Sequence, residues 1–261
     1  MPKISCLTVT LNRLVLLKEA IRCFCDQTYP NKELVIVTNG AERYRQAIRR
    51  YIDTLATPAI RCVALPEENY TLGRLRNIAV EAADGDLICQ WDDDDLYHPE
   101  RLRIQFEYLQ QNNARACLMT DYLAFFRQER EMFWVNWSNR TQDTRHHLLP
   151  GTLLMYKDDR FRYPEAGPSA FRGEDDALID QMYPVIKVGA LREAGYLYVY
   201  TYHGKNTFPK DHHTHLAIQS SSTLEFIRQR RQALIQALGY YRLPMPYAVR
   251  TAEEVAFVYN R

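Results

Sequence analysis

Four consecutive aspartates, Asp92 to Asp95, are the strongest chemical signal in the sequence. They follow the mostly apolar residues 87–91, which predict a buried strand, and they precede Pro99, which predicts the first turn of a helix. Like charges this close repel one another, so a fold keeps such a string where a cation binds. Ligand crevices of open α/β sheets lie at this end of a strand. The string therefore indicates a divalent metal site; the alternative is an acidic turn that caps the helix.

A second acidic cluster consists of Glu174, Asp175 and Asp176, directly after Gly173. The irregular lead-in to the cluster predicts a positioned loop. A carboxylate there would take the proton of a substrate hydroxyl, as a general base does. The alternative is a helix N-terminus lined with acids, which the helix macrodipole favours. We expect the first cluster to hold a metal and the second to handle a proton.

The elements that position these clusters alternate between two patterns. Apolar runs predict strands at residues 3–10, 33–37, 60–65, 86–91, 116–126 and 196–202, and residues 148–156 contain Pro150-Gly151 followed by a further apolar run. Helical spacing predicts helices at residues 14–24, 43–55, 77–83, 99–111, 174–182 and 220–238, the last with a Ser/Thr cap. Such alternation predicts the α/β class, with right-handed crossovers and a mainly parallel sheet flanked by helices. We expect one domain over residues 1–215 and a helical C-terminal extension, 216–261, packed on it.

Three less regular stretches leave alternatives open. Residues 128–147 are polar and aromatic without a clean period, and we interpret them as an insertion or specificity loop. Trp134 and Trp137 within it suit a sugar-stacking platform or a local core equally well. The cluster of His212, His213 and His215 is interpreted as surface histidines rather than metal ligands, and the pair at residues 146–147 is a weaker signal still. Residues 252–259 are weakly helical.

Composition limits the function classes. The 261 residues carry 33 Lys and Arg against 32 Asp and Glu, a net charge of +1, so bulk nucleic-acid binding is not expected. No apolar stretch approaches the roughly 20 residues of a bilayer span, and no signal peptide pattern opens the chain. The six cysteines form no CxxC pair and indicate a cytoplasmic protein with reduced thiols. Arginines on the helix at 220–238 leave peripheral membrane contact open beside ordinary packing.

Several short stretches, taken together, resemble the family 2 glycosyltransferases with the GT-A (Rossmann-like) fold. They are residues 8–13 (TVTLNR), 26–30 (DQTYP), 33–37 (ELVIV), 75–79 (LRNIA), 85–95 (GDLICQWDDDD), 99–102 (PERL) and 173–175 (GED). Their order and spacing over residues 3–205 make the resemblance specific. The chain departs from the family at 38–40, where TNG replaces the usual acidic pair that reads the nucleotide base. The amide oxygen of Asn39 can still accept from a uracil imide.

The resemblance implies an inverting, metal-dependent transfer of a sugar from a nucleotide diphosphate sugar, with a UDP-sugar as the first choice of donor. It implies that Asp94 binds Mn²⁺ or Mg²⁺ and that Asp92 faces the ribose, or the metal through water. Because the string is continuous, Asp93 or Asp95 can exchange these roles. It also implies that Asp175 is the base, with Asp176 as the substitute and Glu174 beside them.

Other residues are candidates for the nucleotide and the metal. Strand-end positions and the family motifs suggest that the nucleotide site includes Thr10, Asn12, Arg13, Asn39, Arg76, Asp92 and Asp93. A structural salt bridge is the alternative for Arg76. His203 is a candidate to complete the metal site, and Lys205 to meet the diphosphate; the alternative is a solvated glycine turn.

The acceptor is expected to be a carbohydrate, a growing polysaccharide, a glycolipid, a protein or a small metabolite, bound through residues 128–172. Two other classes stay open. A nucleotidyltransferase or phosphotransferase also needs an acidic metal site, although the sequence contains no GxxxxGK[ST] loop. An inactive nucleotide-sugar-binding relative is the other, and the presence of both acidic clusters argues against it.

Overall fold

The computed structural model describes residues 1–55, 57–139 and 147–260. Its helices are α1 Leu14–Cys25, α2 Glu42–Leu55, α3 Leu72–Ala82, α4 Arg101–Asn112, α5 Glu174–Met182, α6 Lys210–Gln219 and α7 Leu224–Leu238. Its strands are β1 Ile4–Val9, β2 Lys32–Thr38, β3 Ile60–Ala64, β4 Leu87–Gln90, β5 Leu96–Tyr97, β6 Ala116–Met119, β7 Asp121–Phe126, β8 Glu131–Asn136, β9 Leu149–Tyr156, β10 Val188–Leu191, β11 Tyr198–Tyr202, β12 Tyr247–Arg250 and β13 Val255–Tyr259.

The chain forms two compact units. The first contains Met1–Asp94, Leu102–Leu118 and Pro150–Gly189, and the second contains Asp95–Arg101, Met119–Leu149 and the residues from Ala190 onward. The aspartate string is therefore divided, with Asp92 to Asp94 in the first unit and Asp95 in the second. The predicted boundary at residue 215 stays a prediction.

The first unit is built on a sheet with strand order β10-β6-β9-β4-β1-β2-β3. β1 pairs in parallel with β2 and β4, β2 pairs in parallel with β3, and β9 runs antiparallel to β4. The mainly parallel sheet is thereby confirmed. β2 is buried along nearly its whole length, as expected for a parallel strand covered on both faces. Parallel pairing brings the carboxyl ends of β1, β2 and β4 to one edge.

Helix α3 packs closely against the segment that leads to α5. It begins at Leu72, five residues before the predicted start, because the Thr71 side chain caps it by accepting a hydrogen bond from the Arg74 N–H at 3.2 Å. At Gly73 a Cβ atom would overlap the backbone carbonyl of Pro164. Only glycine allows this approach, which matters because α3 also carries Arg76.

The second unit is built on a mixed sheet with strand order β13-β12-β8-β7-β11-β5. Two predictions are wrong here. Residues 131–136 form the inner strand β8 rather than a loop, since Met132, Phe133, Trp134 and Val135 are all buried. Residues 255–259 form strand β13 rather than a helix. The C-terminal segment is thus helical only as far as Leu238, where α7 ends.

Helix α7 follows its sequence pattern more closely. Its predicted Ser/Thr cap is confirmed, because Thr223 accepts a hydrogen bond from the Phe226 N–H at 3.2 Å. In the described residues, no helix combines the length and the apolar character that a bilayer span requires.

Candidate active site

Asp93 is a buried carboxyl group at the edge of the first sheet where the aspartates lie. Its side chain is only 1% exposed and contacts the guanidinium of Arg13 at 3.1 Å. Thr10, at the end of β1, donates a hydrogen bond to Asp93 at 2.5 Å and lies 2.5 Å from the hydroxyl of Tyr44. Burial and the neighbouring Asp94 charge raise the pKa of Asp93 to about 7. Asp93 therefore holds Thr10 and Arg13 in place, and its direct contact with a nucleotide stays a prediction.

Asp92 and Asp94 are more accessible than Asp93. Their side chains are 24% and 17% exposed, respectively. Arg76 donates to Asp92 at 3.1 Å and Arg13 donates to Asp94 at 2.5 Å. Each carboxylate is thus partly open to solvent and already in contact with an arginine guanidinium.

These two carboxylates fit a hard divalent ion. Among the residues that the structure describes, no group of three or more His, Cys, Asp or Glu side chains is arranged to hold a metal. Mg²⁺ is commonly bound through one or two protein carboxylates, with substrate phosphates and water as its other ligands. The oxygen donors of Asp92 and Asp94 suit that mode of binding, and the assignment of these two residues stays a prediction.

Arg76 joins the two acidic clusters. Its Nε donates to Glu174 at 2.7 Å, while both terminal nitrogens lie 3.1 Å from one oxygen of Asp92. The guanidinium also lies 5.7 Å from the centre of the Tyr163 ring. Arg76 and Glu174 are both buried, so this pairing is shielded from solvent. Of the two roles considered for Arg76, the structure contains the salt bridge, and contact with a nucleotide stays a prediction.

Helix α5 presents the second cluster from its first turn. Gly173 precedes it with φ 80°, a conformation that favours glycine. Glu174 points inward to Arg76, Asp175 is half-buried and Asp176 is exposed. Burial and the Glu174 charge raise the pKa of Asp175 to about 7, although the Arg76 charge acts in the opposite direction. Such a carboxyl is poised to exchange a proton near neutral pH, as a general base requires.

Asn39 follows β2 at the same edge. Its amide nitrogen donates to the Glu68 carbonyl at 2.8 Å. Its amide oxygen is buried and has no hydrogen-bond partner in the described part of the chain. A buried acceptor without a donor is costly, so the site is suited to a ligand N–H. Asn12, also predicted for this site, is exposed in a turn with φ 56°.

Three residues near the site were not singled out from the sequence. Tyr44 supports Thr10, Tyr163 lies against Arg76, and Asn77 bonds the Tyr163 backbone through its amide nitrogen at 2.9 Å and its amide oxygen at 3.0 Å. Asn77 lies within the motif at residues 75–79, which was the available signal. For Tyr44 and Tyr163, the sequence offered only their aromatic character as an indication of a role at this site.

The remaining predicted residues, Asp95, His203 and Lys205, belong to the second unit. Asp95 accepts hydrogen bonds from the Thr201 N–H at 2.9 Å and from the Tyr198 hydroxyl. His203 accepts from the Lys205 N–H at 3.3 Å, which makes a local turn, and Lys205 is exposed. The roles of His203 and Lys205 toward metal and diphosphate stay predictions.

Two other sequence interpretations concern the second unit. Trp134 is a core residue, 2% exposed, and its indole N–H donates to Asp121 at 2.8 Å. His213, interpreted as a surface histidine, is half-buried on α6, with its ring 5.1 Å from that of Tyr200. Burial lowers the pKa of His213 to about 4. The rest of the predicted loop, at 140–146, lies outside the described residues.

A mainly parallel sheet with carboxylates at the strand ends defines the class of α/β proteins that bind nucleotides at this edge. The fold is similar to S. aureus TarS 1–349, with a TM-score of 0.59, 16% identity, and coverage of 91% of this chain and 79% of that one. The TarS complex with UDP-GlcNAc has a TM-score of 0.61 at 16% identity, over 93% of this chain and 68% of that one. This likeness confirms the predicted GT-A fold.

Two further proteins are similar. The mannosyltransferase PcManGT from Pyrobaculum calidifontis, in complex with GDP-Man and Mn²⁺, matches with a TM-score of 0.56 and 15% identity, over 93% of this chain and 66% of that one. The protein WcaA of Escherichia coli K12, named as a colanic acid biosynthesis glycosyl transferase, is 32% identical over 123 residues. That match covers 47% of this chain and 43% of WcaA.

The sequence profile of glycosyl transferase family 2 matches residues 5–161, more than half of the chain. The chain therefore belongs to that family.

Proposed function

We propose that the protein transfers a sugar from a nucleotide diphosphate sugar to an acceptor hydroxyl, with inversion and with the help of Mn²⁺ or Mg²⁺. One observation carries the proposal: Arg76 links the Asp92 carboxylate to Glu174, directly before Asp175. The buried side chain of Arg76 thereby contacts both Asp92, a candidate donor-binding group, and the residue next to the candidate base Asp175. Family membership and relatives solved with UDP-GlcNAc or with GDP-Man and Mn²⁺ support the same reaction class.

The residues of the first unit suit two tasks. Asp92 and Asp94 would hold the ion, which when bound neutralises charge on the diphosphate leaving group. Asp175 takes the proton of the acceptor hydroxyl as that oxygen forms a bond to the anomeric carbon. The bond from that carbon to the diphosphate oxygen breaks, and the electron pair leaves with the nucleoside diphosphate. A single attack from the face opposite the leaving group inverts the anomeric centre.

Asn39 supports a uridine donor. Its buried amide oxygen lacks a donor within the described residues, and the imide N–H of uracil would supply one. The name of WcaA refers to colanic acid, so a polysaccharide or lipid-linked acceptor is the first to be tested. The cytoplasmic location, membrane contact and acceptor identity stay predictions.

Calorimetry with UDP-, GDP-, dTDP- and CMP-sugars tests the proposal, with Mn²⁺ or Mg²⁺ present and again with EDTA. We expect UDP-sugars to bind best and chelation to weaken that binding. Release of UDP in the presence of acceptors, with the anomeric configuration of the product read by NMR, tests transfer and inversion. Absence of binding to every nucleotide sugar would overturn the proposal, and tighter binding of GDP-sugars would overturn the choice of a uridine donor.

A further inference from the structure

The first unit contains a cavity at the edge of the sheet opposite the aspartates. The cavity is open to solvent along much of its surface and has a volume of about 660 Å³. Pro2, just before β1, and Asp86, just before β4, are among its lining residues. Thr10 and Asp92 follow the same two strands at their other ends. With a rise of about 3.3 Å per residue, roughly 26 Å separates Pro2 from Thr10. A ligand in this cavity therefore lies away from the candidate donor site.

Two aromatic side chains line the cavity. Phe106 on α4 is half-buried and makes an edge contact with Tyr29, with ring centres 5.4 Å apart. Tyr156 at the end of β9 is also half-buried, and the guanidinium of Arg115 lies 4.3 Å from its ring centre. Half-buried rings held by such neighbours offer a preformed apolar surface. The C–H face of a pyranose ring packs well on a surface of this kind.

Polar groups around these rings have bonding capacity left for a ligand. The Lys157 ammonium donates to the Ala83 carbonyl at 2.7 Å, and an ammonium group has three donors. The Tyr156 hydroxyl accepts from Gln110 at 2.6 Å, which leaves its own proton to donate. One oxygen of Asp86 accepts from the Lys3 backbone N–H at 2.8 Å, and Asp159 is exposed. Donors and acceptors at the rim of an aromatic surface suit a ligand with many hydroxyl groups.

Charge narrows the class of ligand. The lining residues include two carboxylates, Asp86 and Asp159, and the ammonium of Lys157, while the Arg115 guanidinium lies against the lining ring of Tyr156, so the local charges balance. A phosphate, a nucleotide or an acidic sugar would find no excess of positive charge here to offset the loss of its hydration. An uncharged sugar meets no such cost and can use the carboxylates as hydrogen-bond acceptors.

We propose that this cavity is a non-catalytic binding site for an uncharged oligosaccharide. Its use as a second binding site for the acceptor rests on the proposed function. In that case the acceptor is a chain of neutral sugars rather than a small metabolite. Binding at both ends of the sheet would raise the effective concentration of the acceptor terminus near Asp175.

The test measures binding of three neutral tetrasaccharides, cellotetraose, chitotetraose and mannotetraose, to the full chain by calorimetry and saturation-transfer NMR. Tetragalacturonate serves as an anionic probe. We expect at least one neutral probe to bind with a Kd of roughly 1 mM or below, and tetragalacturonate to bind at least tenfold more weakly. Adding UDP and Mn²⁺ should leave the affinity unchanged.

Two variants locate the binding. Phe106→Leu keeps apolar volume but removes the ring, and Gln110→Ala removes an exposed amide; each should weaken binding about tenfold. Phe106→Tyr should retain the affinity. Gln111→Ala changes an exposed neighbour of Gln110 that does not line the cavity, and should have no effect. Absence of binding by all neutral probes, equal binding of tetragalacturonate, or unchanged affinity in Phe106→Leu and Gln110→Ala would each overturn the inference.

UDP binding by the same variants separates this inference from the proposed function. If the protein binds a tetrasaccharide through Phe106 and Gln110 but binds no nucleotide sugar, the carbohydrate-site proposal stands and the glycosyltransferase proposal is refuted. A protein that binds UDP-sugars and transfers sugar, but binds no neutral tetrasaccharide, would refute only the cavity.

Discussion

Two pairs of aspartates, one pair in each unit, have opposite surroundings. At the sheet edge of the first unit, Asp92 and Asp94 are partly exposed and contact guanidinium groups. In the second unit, Asp95 and Asp121 are buried and accept hydrogen bonds from backbone N–H groups and from the side chains of tyrosine, tryptophan and threonine. The first arrangement leaves charge available to a ligand, whereas the second uses it to fix a loop or a strand.

The contrast is sharpest between Asp94 and Asp95, which are neighbours in sequence. We propose that Asp94 takes part in donor binding, whereas Asp95 holds β11 through Tyr198 and Thr201. A run of identical residues can thus serve binding and folding at once. Changing one region at a time should therefore affect activity and stability separately.

The largest effect is expected from Asp175→Asn. Without a group to accept the proton, the transfer rate should fall by about 10²- to 10⁴-fold. The UDP-sugar affinity and the free energy of unfolding should stay close to those of the parent, because Asp175 is half-buried at a helix start rather than a core partner. Steady-state transfer assays and calorimetry measure the two quantities. Full activity of the variant would remove Asp175 from the role of base.

Asp121→Ala should have the next largest effect, on stability rather than on binding. The change leaves the buried indole of Trp134 and the N–H groups of Ala194 and Gly195 without their acceptor. At about 1–3 kcal/mol for each unsatisfied group, we expect a loss of about 3 kcal/mol or more. Urea denaturation followed by tryptophan fluorescence measures it. Asp53→Ala, at an exposed position, should change stability by less than about 0.5 kcal/mol.

The adjacent pair Asp94→Ala and Asp95→Ala tests the comparison directly. Asp94→Ala should raise the Kd for UDP in Mn²⁺ by about 10- to 100-fold, equal to about 1.4–2.8 kcal/mol, and EDTA should then cause no further loss. Asp95→Ala should instead lower the free energy of unfolding by about 2 kcal/mol, since Thr201 and Tyr198 lose their acceptor. The reverse outcome, with Asp95 needed for UDP and Asp94 for stability, would shift the metal register by one residue.

The smallest effect is a pH dependence. Since the pKa of Asp175 is raised to about 7, its ionised form, which accepts the proton, dominates only above that pH. The value of kcat/KM should therefore rise about tenfold per pH unit below 7 and level off above about pH 8. UDP affinity measured over the same range separates donor binding from proton transfer. A profile that is flat or falling across neutral pH would contradict the assignment.

Local signals in the sequence were sufficient for several helix and strand boundaries. The run before Asp92 predicted β4, the Ser/Thr signal before α7 predicted its cap, and acids after Gly173 predicted the start of α5. Each depends on residues close to one another in the chain. The bond between Arg76 and Glu174 spans 98 positions, and no local pattern encodes such a contact.

The second unit was harder to predict for related reasons. β8 is covered on both faces, so Met132 to Val135 are all buried and show no alternation. A short segment with few apolar residues fits the spacing of a helix as well as that of a strand. In β13 only Phe257 and Tyr259 are buried, and the pairing with β12 is what fixes this segment as a strand. The partners that fix these strands are non-local.

The close approach at Gly73 sets a limit for protein engineering. Glycine inside a helix costs about 1 kcal/mol relative to alanine, so replacing it is ordinarily a way to stabilise a helix. Here any side chain would push α3 away from Pro164, and Arg76 would move with the helix, away from Glu174. A mutational library that excludes only ligand-contacting positions would therefore still lose many of its members at residue 73. The alignment of the two acidic clusters therefore requires that residue 73 has no Cβ atom.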